Sequence, residues 1–228
     1  MSASPPVGPD LNALIRAVRE AASSEALLLA TQELASCGQP GAAPTLVEVL
    51  GFNNPGAAVA AVDGLIGLGP TAVEALLLLD QQNYGARAWA VRALAGIGDV
   101  RGLELLLDAL GSDVAASVRR AAAKGLGQLQ LAELEAWRQQ QIRCLCLEAL
   151  LAACGDGEWV VRYAVVVGLE ALAAGLEFGS AEHGKLLTGL GGLQRPSSEN
   201  PKVVQLRANL ALKRLQSPWH FGAIDEPT

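Results

Sequence analysis

Charged and aromatic side chains recur at corresponding positions of several similar segments of this sequence. Asp63, Arg92 and Lys124 share one position, and Arg120 and Tyr163 share another that lies one helical turn earlier. An Arg side chain can hold a carboxylate through two hydrogen bonds, a Lys adds a point charge, and an Asp accepts hydrogen bonds from N–H groups. Aromatic rings can stack on a planar ligand. Together these residue types suit a flat, conjugated ligand that carries two carboxylates.

Tyr84 and Arg87 complete this predicted set, because they belong to the same segment as Arg92. Arg87 has a second interpretation, which the recurrence favours. Arg returns there as Arg119 and Arg162, and such a repeated Arg can bridge to backbone or carboxylate groups of the neighbouring repeat. Solvated charges, or a surface that binds another protein, are alternatives for the whole set. The predicted ligand-binding residues are Asp63, Tyr84, Arg87, Arg92, Arg120, Lys124 and Tyr163.

Trp89 stands where the sister segments carry Ala121 and Ala164. A ring in that place either fills a gap between helices or forms an aromatic wall beside the cations. We favour gap filling, because an indole buries a large apolar area.

No catalytic signature is present: the sequence lacks a P-loop, a GxSxG and an HExxH motif, so the catalytic residues are left open. His183 and His220 lie far apart, and no two cysteines have C-x2-C spacing, so we predict no metal site. Cys144 and Cys146 point to different sides of a predicted helix and cannot form a disulfide without breaking it. Reduced thiols indicate a cytoplasmic protein.

The composition favours close-packed helices, since 51% of the residues are hydrophobic and only 4% are aromatic. A net charge of −6 argues against nucleic acid as the main partner. The charge is uneven: residues 1–80 hold two basic and eight acidic residues, whereas 81–124 hold six and four. Apolar runs such as 75–79 are far shorter than the roughly 20 residues that span a bilayer, so we expect no membrane insertion. We also expect no secretory signal at the start of the chain.

The segment 83–99 is the clearest predicted helix. Asn83 can accept hydrogen bonds from the free N–H groups of a helix start, and Gly98 is placed for a left-handed helix end. Between them, apolar residues recur at helical spacing. The same pattern returns with an offset of 29 at 54–69, and again at 118–126, 161–169 and, more weakly, 204–212.

Two helices in each period of about 30 residues indicate a helical solenoid. We predict an all-α fold, a right-handed α-solenoid of about five to six short HEAT-like helical-hairpin repeats, with the second helices lining its concave face. The predicted domains are a flexible leader over 1–9, the solenoid over 10–216 and a tail over 217–228. The Gly-, Ser- and Pro-rich linker 175–200 is expected to cap the array or form a loop over it. A short helix is also predicted within it, over 185–193.

Three segments carry a more specific resemblance: NNPGAAVAAVDGLIGLG, NYGARAWAVRALAGIGD and SVRRAAAKGLG. They resemble the F-type subunits of the E/F-type phycobilin lyases of cyanobacteria, a family of short HEAT repeats. The similarity is densest over 40–127 and continues more weakly to about 215.

This resemblance implies a heterodimer with an E-type lyase subunit. Such a heterodimer attaches a bilin, a linear tetrapyrrole, through a thioether to a cysteine of a phycobiliprotein α subunit. The nucleophilic thiol belongs to the acceptor, and the bilin is a substrate, so no cofactor is expected. Phycocyanobilin, phycoerythrobilin and phycourobilin remain open as the bilin.

Some F-type relatives also isomerise the bilin and carry a His-Cys pair. No cysteine here has a histidine beside it, so we predict no isomerase activity. The alternative function is a non-catalytic HEAT-repeat protein that binds a bilin or a phycobiliprotein as a chaperone or a phycobilisome turnover factor.

Overall fold

The computed structural model of the protein describes residues 10–80, 83–196 and 200–216. The predicted leader 1–9 and tail 217–228 lie outside these residues. The described residues fold into α-helices joined by short turns, with no β-strand among them, which confirms the predicted all-α class. They form two compact units, the first ending at Gly102 and the second beginning at Leu103. The predicted solenoid boundaries at 10 and 216 stay a prediction.

Unit 1 contains helices that alternate along the chain as first and second members of hairpins. They are α1 (Leu11–Arg19), α2 (Ser24–Ser36), α3 (Ala43–Leu50), α4 (Pro55–Leu68), α5 (Val73–Leu77) and α6 (Tyr84–Ile97).

The second helices α4 and α6 begin as the sequence predicts. The side-chain oxygens of Asn54 and Asn83 accept hydrogen bonds from the N–H groups of Ala57 and Ala86, each at 3.1 Å. Each Asn thereby satisfies one of the backbone donors that a helix start leaves free. Gly98 ends α6 in the left-handed conformation with φ 72°, as predicted.

Unit 1 is held together by apolar contacts between hairpins. Fully buried leucines, among them Leu34, Leu46, Leu65 and Leu94, form the core between first and second helices. The second helices α2 and α4 pack closely, because a Cβ at Gly64 would lie only 2.6 Å from the Cβ of Ala35. Side-by-side packing of second helices is the arrangement that the repeat predicts.

One expectation about apolar length needs correction. Pro55–Leu77 spans 23 residues with a mean hydropathy of 1.5, enough by length and composition to cross a membrane. A search for uninterrupted runs of large apolar side chains does not find this stretch, because Gly and Ala lie between the larger residues. Gly69 at φ 61° and Pro70 end α4 within this stretch, and its residues pack on α2, α3 and α6. We therefore interpret it as the packed helices α4 and α5 of unit 1.

Unit 2 repeats the hairpin pattern with longer helices. They are α7 (Leu103–Ser112), α8 (Ala116–Leu126), α9 (Ala136–Ala152), α10 (Trp159–Ala173), α11 (Ala181–Gln194) and α12 (Lys202–Gln216).

The second helices α8 and α10 approach each other until their backbones touch. A Cβ at Gly168 would lie 2.3 Å from the carbonyl oxygen of Ala123, and one at Gly127 would lie 2.2 Å from the carbonyl oxygen of Gly168. Any side chain larger than hydrogen would separate the two helices. This contact sets α8 and α10 side by side.

The linker 175–200 contains α11, which confirms the helix predicted over 185–193 and extends it, so this segment does not form a loop. Ser180 accepts a hydrogen bond from the N–H of His183 at 3.2 Å and starts α11. Leu186, Leu190 and Leu193 then face the core at helical spacing. Glycines and the residues around the helix gave the segment the composition of a loop.

Helix α11 is predicted to gain stability when three of its glycines that have space for a side chain are replaced by alanine. A Cβ at Gly184, Gly191 or Gly192 would meet nothing within 4 Å, and Gly in a helix costs up to about 1 kcal/mol relative to Ala. The triple Gly→Ala variant should raise the free energy of unfolding by about 1–3 kcal/mol in urea titrations and slow amide exchange in α11. Gly189→Ala is the control, since its Cβ would lie 2.4 Å from Leu151. Equal gains from Gly189→Ala and the others would contradict this prediction.

Candidate functional site

The predicted ligand-binding residues of unit 1 differ widely in exposure. Tyr84 is 73% exposed at the start of α6, and Asp63 is exposed on α4. Arg92 is half-buried, and its guanidinium carbon lies 4.7 Å from the centroid of the Trp89 ring. This distance allows a cation–π interaction. Trp89 is itself half-buried, so it fills a gap only in part and offers one face to a cation.

Asp63 borders a shallow depression of ≈ 380 Å³ between α2 and α4. Small side chains line it, with Gln32, Ser36 and Val59 at its rim. The depression carries one carboxylate and no cation, so it does not by itself suit an anionic ligand.

In unit 2, Arg120 and Lys124 are exposed on α8, and Tyr163 is half-buried on α10. Arg120 and Lys124 are four residues apart, so they lie on one face of the helix with Cβ atoms about 6 Å apart. The backbone contact between α8 and α10 brings the helix that carries Tyr163 alongside them. Two cations and one ring therefore lie on adjacent second helices of a single unit.

The recurring arginines connect neighbouring repeats, as the favoured interpretation predicts. Arg119 donates two hydrogen bonds to the carboxylate of Asp156, at 2.7 and 3.0 Å, and a further one to the carbonyl oxygen of Asp113 at 2.8 Å. Arg162 donates to the side-chain oxygen of Asn200 at 2.9 Å and to the Asp156 carbonyl. Each Arg therefore fixes the turn that precedes a later second helix.

These contacts also set the local electrostatics. The hydrogen bonds from Arg119 hold the pKa of Asp156 below its usual range, despite partial burial, which acts in the other direction. The same pair raises the pKa of Arg119. The pair therefore stays ionised and structural over the physiological pH range.

Arg87 occupies the equivalent position in unit 1 and is only 9% exposed. Its burial places it with Arg119 and Arg162 rather than with the exposed Arg120 and Lys124. A ligand-binding role for Arg87 stays a prediction, and its placement favours the stabilising role.

The predicted set omits two exposed residues of the last helix. Leu206 and Leu210 on α12 stand at the positions that Arg120 and Lys124 hold on α8. The weak similarity of the 204–212 segment to the other repeats contains this signal, because it aligns the leucines with the cations. An apolar residue in a helix is usually a core residue, so the sequence pattern alone does not mark these leucines as exposed.

The four cysteines are free thiols, of which Cys146 is buried and Cys154 partly buried. Burial raises the pKa of Cys146 to about 12 and that of Cys154 to about 11. His183 is buried against the ring of Phe178, and His220 lies outside the described residues. Within the described ranges no three His, Cys, Asp or Glu residues are grouped to hold a metal ion.

The raised pKa values predict slow alkylation of two thiols. At pH 8 only about 10⁻⁴ of Cys146 and about 10⁻³ of Cys154 would be thiolate, the form that reacts. We expect iodoacetamide to label both at least about 100-fold more slowly in the folded chain than in urea. Peptide mass spectrometry over time measures this, with the partly exposed Cys37 and Cys144 as internal references. Equal labelling rates in the folded and unfolded chain would contradict the prediction.

The fold and the recurring Arg define the class of protein. The HEAT repeat family matches residues 73–136, and stacked helical hairpins are the architecture of that family. The chain is an α-solenoid protein of the HEAT-repeat class.

Comparison with known proteins defines the family more narrowly. The chain is 52% identical to the phycocyanin alpha phycocyanobilin lyase CpcF of Synechocystis, over 73% of this chain and 78% of that protein. It is 57% identical to the phycocyanobilin lyase subunit beta of Pseudanabaena tenuis over 72% of this chain. It spans 58% of the length of that second relative. The chain therefore belongs to the family of F-type phycobilin lyase subunits.

A solved structure agrees with this assignment. A chain in the complex of CpcE and CpcF of phycocyanin lyase from Nostoc is 43% identical and superposes with a TM-score of 0.68. The match covers 76% of this chain and 99% of that one.

Proposed function

We propose that this chain is the F-type subunit of a heterodimeric bilin lyase. With an E-type partner it binds a bilin and attaches it through a thioether to a cysteine of a phycobiliprotein α subunit. The observation that carries the proposal is the 52% identity to a phycocyanobilin lyase over 78% of that protein's length. The likeness to a chain of the CpcE–CpcF complex supports the heterodimer.

The residues of the chain fit a lyase that positions its substrate. Burial keeps the thiols of Cys146 and Cys154 protonated, so neither is an activated nucleophile. In thioether formation, the acceptor's sulfur attacks the bilin, and the acceptor's thiol proton is transferred to the bilin. The chain has only to hold the bilin in a reactive conformation close to that thiol, which can supply a large part of the rate enhancement.

Candidate contacts to the bilin lie on exposed faces of the second helices, as a separate set in each unit. Unit 1 offers Asp63, Tyr84 and Arg92, and unit 2 offers Arg120, Lys124 and Tyr163. Arg87 contributes by fixing its helix. The bilin is a substrate, so we propose no resident cofactor and a cytoplasmic location, where thiols stay reduced.

Co-expression tests this function. The chain, an E-type subunit, a phycobiliprotein α subunit and a bilin-producing pathway are expressed together in a bacterium that makes no bilin. We expect an acceptor whose colour survives denaturation and whose yield falls when either lyase subunit is omitted. The attached bilin should keep the conjugation of the one supplied, since no isomerase activity is predicted.

Omission experiments separate the lyase from the alternative function. A chain that binds bilin but never raises the thioether yield, with any of the candidate bilins, would be a non-catalytic binding protein. An acceptor coloured equally well without this chain would refute the proposal.

A further inference from the structure

The second helices of unit 2 carry a concentration of positive charge. Helices α8, α10 and α12 contain eight Lys or Arg residues and one acidic residue, Glu170. The first helices of the same unit, α7, α9 and α11, contain three basic and four acidic residues. In unit 1, the second helices contain two basic and three acidic residues. In a chain with net charge −6, this excess marks a surface for an anion.

Four of these eight cations are engaged within the protein, whereas two on α8 and also Lys202 and Lys213 on α12 are exposed. Arg119 and Arg162 hold turns, and Arg207 and Arg214 donate to the carboxylate of Glu170. Arg120 and Lys124 are exposed and form no ion pair with any residue in the described part of the chain. Their spacing suits a ligand with two carboxylates, one for each cation.

Helix α12 presents a row of apolar side chains that includes the repeat positions held by Arg120 and Lys124 on α8. Val203, Leu206 and Leu210 are 43%, 57% and 43% exposed, and their spacing of three and four residues places them on one face. Burying these exposed leucines against an apolar ligand surface would be favourable, because it removes apolar area from water.

Helix α10 joins the cationic and the apolar parts into one surface. It contacts α8 at the backbone of Gly168 and is tied to α12 by the ion pairs of Glu170 with Arg207 and Arg214. Its ring, Tyr163, stands at the position equivalent to Arg120 and Leu206. The α8–α10–α12 face, defined by Arg120, Lys124, Tyr163, Leu206 and Leu210, therefore changes from cationic to aromatic to apolar.

We propose that the α8–α10–α12 face is the bilin-binding surface of this chain. The two carboxylates of the tetrapyrrole lie on Arg120 and Lys124, and its conjugated hydrocarbon lies on Tyr163 and the α12 leucines. The inference rests on the proposed function, which supplies the ligand, and it assigns binding to unit 2. Unit 1 is less suited, because its second helices carry more acidic than basic residues and Asp63 lies in the exposed depression.

The test measures equilibrium binding of phycocyanobilin and of its dimethyl ester to the chain in complex with its E-type partner, without acceptor. The ester lacks both negative charges but keeps the tetrapyrrole. We expect Arg120→Ala with Lys124→Ala to bind the acid about tenfold more weakly and to lose the preference for acid over ester. Leu206→Gln with Leu210→Gln should weaken acid and ester by the same factor.

The control removes two exposed cations from first helices of the same unit, Arg138→Ala with Lys185→Ala. It should bind both ligands as the wild type does. Circular dichroism should be the same for every variant, since all these side chains are exposed.

Each of the following outcomes would overturn the inference. The cation variant could keep the wild-type affinity and the wild-type ratio of acid to ester. It could keep bilin binding but lose capture of the acceptor subunit in a separate pull-down, which would make this face a protein-docking surface. If the wild-type complex forms the thioether while the face variants bind bilin normally, the inference fails and the proposed function stands. If the wild-type complex binds neither ligand, both fail.

Discussion

Replacing Gly168 by alanine is expected to lower the free energy of unfolding by at least about 2–3 kcal/mol. The new Cβ would lie 2.3 Å from the carbonyl oxygen of Ala123. A flexible side chain could change rotamer to avoid such a contact, but a helix backbone atom cannot. Helices α8 and α10 would have to separate by about an ångström, which would loosen every contact between them. Denaturant titration measures the loss, and bilin binding should fall with it because α8 and α10 carry the proposed face.

Gly192→Ala is the matched control for this substitution. It makes the same chemical change in α11, where a Cβ meets nothing within 4 Å, and should leave stability unchanged or slightly raised. A Gly168→Ala protein as stable as the control would mean that α8 and α10 do not touch as described.

Leu94→Ala is expected to cost about 2–5 kcal/mol through the cavity it leaves in unit 1. Leu94 is fully buried on α6, and its side chain also packs against the turn at Gly102. The midpoint temperature of thermal unfolding and the midpoint denaturant concentration should both be lower than for the wild type.

Leu78→Ala serves as its control, because Leu78 is 80% exposed in the same unit. The same truncation there should change stability by no more than about 0.5 kcal/mol. Equal effects at the two positions would show that α6 does not bury its apolar face as described.

The repeat made much of the fold predictable from the sequence. Asn54, Asn83 and Gly98 are local signals for helix ends, and the structure confirms each. The type of contact made by Arg119 and Arg162 was also predictable. A polar residue that recurs in a stack of repeats is expected to form hydrogen bonds with the neighbouring repeat.

Other features depend on contacts between distant residues and have no local signal. The sequence predicts a helix only over 185–193, whereas α11 begins at Ala181, inside a stretch with the composition of a loop. The proposed face depends on Leu206 and Leu210 being exposed, which follows from α12 lacking a further helix against these leucines within the described residues. A sequence pattern cannot tell such an exposed leucine from a core leucine.

The most direct test of this account is to locate the new covalent bond. The wild-type complex, a bilin and a phycobiliprotein α subunit are incubated, and tryptic peptides of every chain are analysed by mass spectrometry. We predict that the bilin mass appears on one cysteine of the acceptor and that Cys37, Cys144, Cys146 and Cys154 of this chain stay unmodified. A bilin bound covalently to any of these four cysteines, or an acceptor that stays unmodified, would contradict the account.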